Sequence, residues 1–461
     1  MSSRLRILAV WCLLCVLALG ADSPKYVFLF IGDGMSLPQR TLAESFLKRT
    51  AGEGQQLLIN HLPVRASTRT SSANALITDS AASGTAIACG EKTNNGIIGL
   101  APDGKRPLES MAYVAQRAGR RVGIVTSVTI NHATPSAFYG HRPNRSQYYE
   151  LGLDLVASNF DYFAGGGCAK NDDSKNPAYK GDIYELAKQA GYTVTSTREE
   201  FERLAPGVGK VFARGANGAL PPAIDRDSQT IELHEFVAKG IELLDNPKGF
   251  FLMCEGGAID WRGHANDAAG SVHESLALDK AVKVAYEFAQ RHPDETLIVV
   301  TGDHETGALT LGFANTGYEE RLELLARQSC SVDRFNSVLR EQLRNAGEQA
   351  SFETCGIPAL QRVFGLDFGG KGPLAVQEAE LESLRKAYEA SVAAWKAKKG
   401  MDALKLAGLK LFNNKCGAVW HSGGHSALPV ITTAYGVGSE RFAGDYENTH
   451  IAVTLKQLLA R

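Results

Sequence analysis

Unbroken hydrophobic runs and amphipathic patterns take turns along most of this chain. Tyr26–Ile31, Val122–Val128, Phe250–Cys254 and Thr296–Val300 are short and rich in β-branched or aromatic residues. Such runs predict strands buried on both faces of a sheet. Between them, Pro107–Ala118, Asp182–Ala190 and Ser271–Gln290 carry apolar residues at helical spacing, and His292-Pro293 stops the last of these. Pro429–Tyr435 is a further strand-like run. The alternation predicts an α/β fold, with one large, mostly parallel central sheet sandwiched by helices. It breaks from about Tyr318 to Leu411, where strand signal is scarce and charged helical patterns follow one another. Leu381, Leu384, Tyr388, Val392 and Trp395 outline one such helix, and Lys396, Lys398 and Lys399 lead to Gly400 as its expected C-terminal cap. This stretch reads as a helical insertion, placed over a site or at a subunit contact.

Composition narrows the setting. Arg4 and Arg6 precede an apolar run from Ile7 to Leu19 that ends in Ala18-Leu19-Gly20. A basic start, a short apolar core and small residues at its end predict a signal peptide over 1–20, leaving 21–461 as the mature α/β domain. The run is shorter than the ~20 apolar residues of a retained anchor, so a secreted or periplasmic protein is expected. Hydrophobic residues at 44% and charged residues at 21% exclude a disordered chain. Forty-nine basic against fifty acidic residues give a net charge of −1, with no long basic run to grip a phosphate backbone, so no nucleic-acid-binding surface is expected. After Cys12 and Cys15, six cysteines remain at 89, 168, 254, 330, 355 and 416. Export permits disulfides, and Cys330 and Cys355 are near enough in sequence to form a plausible pair. Cys254, inside an apolar run, reads as a buried thiol.

The reactive residues gather where strands end, the place where open α/β sheets bind ligands. Gly32-Asp33-Gly34 follows the first run, Glu255 to His264 follows the third, and Gly302-Asp303-His304-Glu305-Thr306-Gly307 follows the fourth. Imidazole with carboxylate suits zinc, and an oxygen-rich set suits magnesium. Asp260 and His264 are one helical turn apart and would share a face. His425, in a glycine-loosened loop, is a candidate third ligand. Thr78-Asp79-Ser80-Ala81-Ala82-Ser83-Gly84 reads as a loop entering a small-residue helix. Asp79 or Ser80 would cap it, or Ser80 would be a nucleophile where the helix N-terminus favours an oxyanion and a phosphate. Arg145 could grip two phosphate oxygens with its planar fork.

Together these motifs resemble the alkaline phosphatase family, from Tyr26 to about Gly436. Asp-Ser-Ala-Ala-Ser-Gly-Thr-Ala around Ser80, Glu-Gly-Gly-x-Ile-Asp at 255–260 and Gly-Asp-His-Glu-Thr-Gly at 302–307 occur in the family's order. The resemblance implies an alkaline-phosphatase-like fold and hydrolysis of phosphomonoesters through a phosphoserine on Ser80. It implies two Zn2+ ions and one Mg2+ ion per chain. Asp33, Ser80, Asp303 and His304 would hold one zinc, and Asp260, His264 and His425 the other. Asp33 would also bridge to magnesium, shared with Glu255 and Thr134, with His132 one contact further out. Arg145 would clamp phosphate, with Trp261 beside it. His132 together with Trp261 looks most like a secreted bacterial branch, and a homodimer is implied. A sulfatase would need Cys-x-Pro-x-Arg or Ser-x-Pro-x-Arg, which Ser80-Ala81-Ala82-Ser83-Gly84 does not supply. A phosphodiesterase or phosphomutase of the same superfamily, or a non-catalytic zinc- or phosphate-binding protein, are the alternatives.

Overall fold

The computed structural model describes residues 23–312 and 317–460. The expected signal peptide lies outside the described residues. Fourteen strands follow in chain order: β1 (Tyr26–Gly32), β2 (Val64–Arg69), β3 (Arg121–Thr126), β4 (Tyr162–Gly165), β5 (Tyr192–Thr195), β6 (Lys210–Arg214), β7 (Phe250–Gly256), β8 (Thr296–Gly302), β9 (Glu305–Thr306), β10 (Leu309–Leu311), β11 (Ala418–Trp420), β12 (His425–Ser426), β13 (Val430–Gly436) and β14 (Gly444–Glu447). Ten build one sheet in the order β14-β2-β13-β8-β1-β7-β3-β4-β6-β5. Only β13 runs against the others, pairing antiparallel with β8 and β2. The mostly parallel α/β sheet expected from the sequence is present.

Both faces of the sheet are covered, which is why its central strands lack polar alternation. In β1, Val27, Leu29 and Ile31 enter one core, while Tyr26, Phe28 and Phe30 enter the other. The first core includes α2 (Ser80–Cys89), α3 (Met111–Arg117), α4 (Ile183–Gln189) and α11 (Thr449–Leu459). The second rests on α6 (Ala268–Arg291), whose Leu278, Ala281, Val282 and Ala285 repeat at helical spacing. Register then decides where the site falls. Gly32 is level with Gly256 on one side and Gly302 on the other, so all three central strands end at one height.

Several boundaries move where tertiary contacts compete with local pattern. The helix expected from Pro107 starts at Met111, because Pro107 bridges back to Leu100 and Leu108 N–H donates to the Gly99 carbonyl. Ser110 caps it. β3 stops at Thr126, two residues early, and α6 begins at Ala268 behind the cap Asp267.

Helices fill the chain between β10 and β11: α7 (Phe335–Ala346), α8 (Ile357–Phe364), α9 (Glu378–Lys396) and α10 (Asp402–Cys416). β10 and β11 pair antiparallel and pinch the two ends of this segment together. Its core is continuous with Leu42 and Phe46 of α1 (Leu37–Ala51) and with Ala268, Ala269 and Val272 of α6. The apolar stripe of α9 faces that core, but its expected cap is corrected. The left-handed residue is Lys398 (φ 57°), and Gly400 is not the cap. The turn carries the chain so that Leu404 N–H donates to Ser391 Oγ at 2.9 Å. The suggested Cys330–Cys355 disulfide is also absent: all six described cysteines are buried free thiols. Both members of that pair sit in the apolar core of the helical segment, where a thiol packs as a small hydrophobe. No helix among the described residues is long and apolar enough to cross a membrane.

Asp267 ties this segment to the sheet-covering layer. Its buried carboxylate accepts from Gly270 N–H (2.9 Å), Gln328 Nε2 (2.8 Å) and Val332 N–H (3.1 Å). Asp267→Ala removes a helix cap and strands two buried donors, so it should cost about 3 kcal/mol. A urea titration of the variant beside the parent chain measures this, and a loss below ~1 kcal/mol would contradict the role.

Candidate active site

Ser80 opens α2, a helix of small residues that is buried throughout. Small side chains let it lie close to its neighbours; a Cβ on Gly84 would sit 3.2 Å from Thr134 Cα. Asp79, not Ser80, is the cap. Its Oδ1 accepts from Ala82 N–H at 3.0 Å, while its Oδ2 accepts from Gly96 N–H at 3.0 Å and from Arg145 Nη1 at 2.9 Å. One carboxylate thus starts α2 and aims the guanidinium. Burial opposes the charge on Arg145, but Asp79 outweighs it and the pKa is raised.

Freed from capping, Ser80 Oγ faces His304 Nε2 at 3.2 Å. The same nitrogen lies 3.3 Å from Asp33 Oδ1 and 3.4 Å from Asp303 Oδ2. Its tautomer follows from the other side of the ring. Thr306 Oγ1 gives its only hydrogen to Asp260 Oδ1 (2.5 Å), so His304 Nδ1, 3.3 Å away, donates to that hydroxyl. Nε2 then holds a lone pair, accepts from Ser80, and cannot donate to the two carboxylates. Gly34 and His304 N–H groups fix Asp303 Oδ1 at 3.0 and 2.9 Å. Gly34 has φ 72°, and a Cβ there would meet Asp260 Cα at 2.8 Å, so only glycine fits.

The next ring in the row is His425, stacked on His304 with centroids 3.7 Å apart. His425 Nδ1 donates to the Thr78 carbonyl (2.8 Å) and His264 Nδ1 to the Gly423 carbonyl (2.7 Å). Both therefore turn Nε2 inward, 3.2 Å apart, against Asp260 at 3.5 and 3.3 Å. On the other side of Asp33, Thr134 Oγ1 donates to Asp33 Oδ2 at 3.2 Å and Thr126 Oγ1 donates to Glu255 Oε2. His132 offers a ring nitrogen in the same cluster as Asp33 and Glu255. Trp261 meets His132 edge-on at 5.9 Å.

Three clusters result, each with ligand atoms within 4.8 Å of one another: Asp33, Asp303 and His304; Asp260, His304 and His425; Asp33, His132 and Glu255. Asp33 Oδ1, Asp303 Oδ2, Glu255 Oε1 and His132 Nδ1 are buried without a hydrogen-bond partner. Buried acceptors facing one another, with lone-pair nitrogens among them, fit divalent metal ions.

The family model for alkaline phosphatase matches residues 24–460. The chain is 30% identical over 451 residues to alkaline phosphatase 4 of Bacillus subtilis, which spans 94% of this chain and 88% of that one. The chain belongs to the alkaline phosphatase family. Among solved structures, a cold-active alkaline phosphatase from a psychrophilic Shewanella superposes with a TM-score of 0.79 at 28% identity, covering 95% of this chain and 100% of its own. A mutant of the alkaline phosphatase of the Antarctic bacterium TAB5, with Mg in its M3 site, has a TM-score of 0.65 at 25% identity, with 95% and 99% covered. The chain is a metal-dependent phosphomonoester hydrolase.

Every residue expected at the site from the sequence falls within this one region, but its supports carried no such signal. Thr306 orients His304, and Thr126 holds Glu255. Glu305, inside the same motif, faces away from the clusters. It accepts from Gln39 Nε2 (2.7 Å), from Ala308 and Leu309 N–H (both 3.1 Å) and from Ser426, and so fastens the strand that carries His425. Asn266 is left-handed at φ 55°, and its amide faces the Gly263 and Ser422 carbonyls, which assigns the nitrogen to that side, donating at 2.9 and 2.8 Å. It joins α5 (Ala258–His264), which bears Asp260 and His264, to the loop that bears His425. Asn413 of α10 donates to its backbone carbonyl at 2.7 Å.

The charge balance has a pH consequence. Burial pushes Glu255 up to about 7 and raises Asp33 and Asp303 well above the carboxylate range, the nearby acids adding to it. Asp260 raises His264 to about 9. Groups with raised folded-state pKa values stabilise the fold while protonated and lose that contribution as pH rises through them. The chelated protein should therefore melt at progressively lower temperature from pH 6.5 to 9, and added divalent metal should restore most at the alkaline end. Melting curves with and without chelator read this directly; a flat or rising profile for the chelated protein would contradict it.

Proposed function

We propose that the chain is an exported phosphatase, secreted or periplasmic after cleavage near Gly20, that works through a phosphoserine on Ser80. The observation that carries this is the Ser80 hydroxyl, at the head of α2, set 3.2 Å from His304 Nε2 within the row of carboxylates and imidazoles. Two Zn2+ ions fit the nitrogen-bearing donor sets: Asp33, Ser80, Asp303 and His304 for one, Asp260, His264 and His425 for the other. One Mg2+ fits Asp33, Thr134 and Glu255, with His132 at its edge. Bound there, the ions supply the positive charge that lowers the pKa of a hydroxyl and offsets charge on departing oxygen.

The chain's own residues do the rest. Ser80 Oγ forms the bond to phosphorus while the phosphorus–alcohol bond breaks, and the alcohol leaves. Water then cleaves the seryl phosphate, releasing inorganic phosphate and restoring Ser80. Arg145, held by Asp79, presents paired N–H donors to the non-bridging oxygens, and the N–H groups at the start of α2 face the same anion. These groups grip phosphate rather than alcohol, which favours phosphomonoesters as a class. The α/β domain is taken as 21–461, with the helical stretch of about 318–411 as its insertion. A homodimer is expected from the family, and Leu37, Leu76, Ile77 and Leu428 are exposed apolar side chains that such an interface could bury.

Acid-quenched turnover of a radioactive phosphomonoester should place label on Ser80. Ser80→Ala should abolish the label and lower kcat by roughly 10³-fold or more. Label on another residue would overturn the assignment. Trp261 supplies the second test. Its ring meets His132 edge-on, next to the cluster of Asp33 and Glu255, which supports a place beside bound phosphate. Lysine there would add a cation where phosphate is held, so Trp261→Lys should tighten competitive inhibition by inorganic phosphate about tenfold, a ~1.4 kcal/mol effect. An unchanged inhibition constant with a lowered melting temperature would assign Trp261 to packing instead.

A further inference from the structure

Thr306 is fully buried and touches every member of the Asp260, His304 and His425 cluster. Its hydroxyl donates to Asp260 Oδ1 at 2.5 Å and accepts from His304 Nδ1 at 3.3 Å. Its backbone is paired with His425 where β9 meets β12. His304 belongs as well to the cluster of Asp33 and Asp303. One hydroxyl therefore spans two donor sets. The ring on one side of it serves the first set, and the carboxylate on the other side serves the second.

The fold leaves that hydroxyl a single place. Thr306 N–H donates to the Gly34 carbonyl at 3.3 Å, and the Thr306 carbonyl accepts from Gln39 Nε2 at 3.0 Å. Gln39 is held in turn, its Oε1 accepting from Ser36 N–H at 3.0 Å. The two arms of the side chain are seated on glycines from separate segments. A Cβ on Gly263 would meet Thr306 Cγ2 at 2.9 Å, and a Cβ on Gly34 would meet Oγ1 at 2.8 Å. A β-branched side chain is stiff at χ1, so with the backbone pinned and the methyl seated the hydroxyl points between Asp260 and His304. With Oδ1 so engaged, Asp260 presents Oδ2 to His264 Nε2 at 3.3 Å. Packing alone gives no reason for the hydroxyl, since valine has a similar shape and carries no polar group into the interior.

We infer that Thr306 is a positioning residue shared by both zinc sites: it sets the tautomer of His304 for one and the orientation of the Asp260 carboxylate for the other. This deepens the two-zinc reading proposed above and rests on it. Groups that hold metal ligands from behind tune affinity for an ion they never touch.

Zinc retention in a graded competition with a chelator tests this without any substrate. Thr306→Val deletes the hydroxyl and should release both zinc ions at roughly 10- to 100-fold lower chelator concentration than the parent chain. Thr306→Ser keeps the hydroxyl and should hold both ions nearly as the parent does. Thr306→Ala removes the hydroxyl without a second methyl and should repeat the valine result, which guards against a misfit of valine. Melting temperatures of the chelated variants show that each is folded. Early release of one ion while the other is held as in the parent would overturn the shared role. Parental retention in both Thr306→Val and Thr306→Ala, or equal losses in Thr306→Val and Thr306→Ser, would overturn the part played by the hydroxyl. The zinc count of the parent chain reports separately on the reading beneath: fewer than two ions would overturn the two-zinc assignment and the shared role with it.

Discussion

The dominant constraint on this structure is electrostatic. Asp33, Glu255, Asp260 and Asp303 are buried together at the ends of three adjacent strands. Removing that much negative charge from water is costly unless cations answer it. Arg145, whose charge opposes that of Asp33, is itself engaged by Asp79. The protein therefore carries a standing deficit of positive charge, which divalent metal ions can fill. The parallel register concentrates the problem, because the glycines that end the central strands are level and the acids emerge at one height.

Around that charge the chain arranges neutral donors with little freedom left. Thr306, the Thr78 carbonyl and the Gly423 carbonyl each claim one nitrogen of a histidine, so that the opposite nitrogen faces the carboxylates. The orientation of each ring is settled by these hydroxyl and backbone partners. Asp79 does similar double service, since the carboxylate that caps α2 also points Arg145.

The helical segment between β10 and β11 belongs to the same construction. It shares a core with α1 and α6, is anchored by Asp267, and reaches Asn266 through Asn413. Asn266 in turn spans from α5 to the loop before His425. Packing energy in the helical layer is thereby coupled to the spacing of Asp260, His264 and His425.

The sequence alone determined the parts governed by local rules. Continuous apolar strands with charged residues at their ends announced a covered parallel sheet with chemistry at its carboxyl edge. Short, ordered motifs around Ser80, Asp260 and Asp303 pointed to the family and to residues that the fold gathers into one cluster. What lay between distant segments was not legible. Met111 rather than Pro107 starts α3 because Leu108 is claimed by Gly99, and Lys398 rather than Gly400 turns the chain after α9 because Leu404 must reach Ser391. The free thiols of Cys330 and Cys355 are decided by packing, not spacing. Thr306, Thr126, Glu305 and Asn266 gained their roles through partners that include distant residues: Asp260, Glu255, Gln39 and Ser422 respectively. Hydrogen-bond direction and tautomer are properties of assembled neighbours, and only the tertiary structure brings those neighbours together.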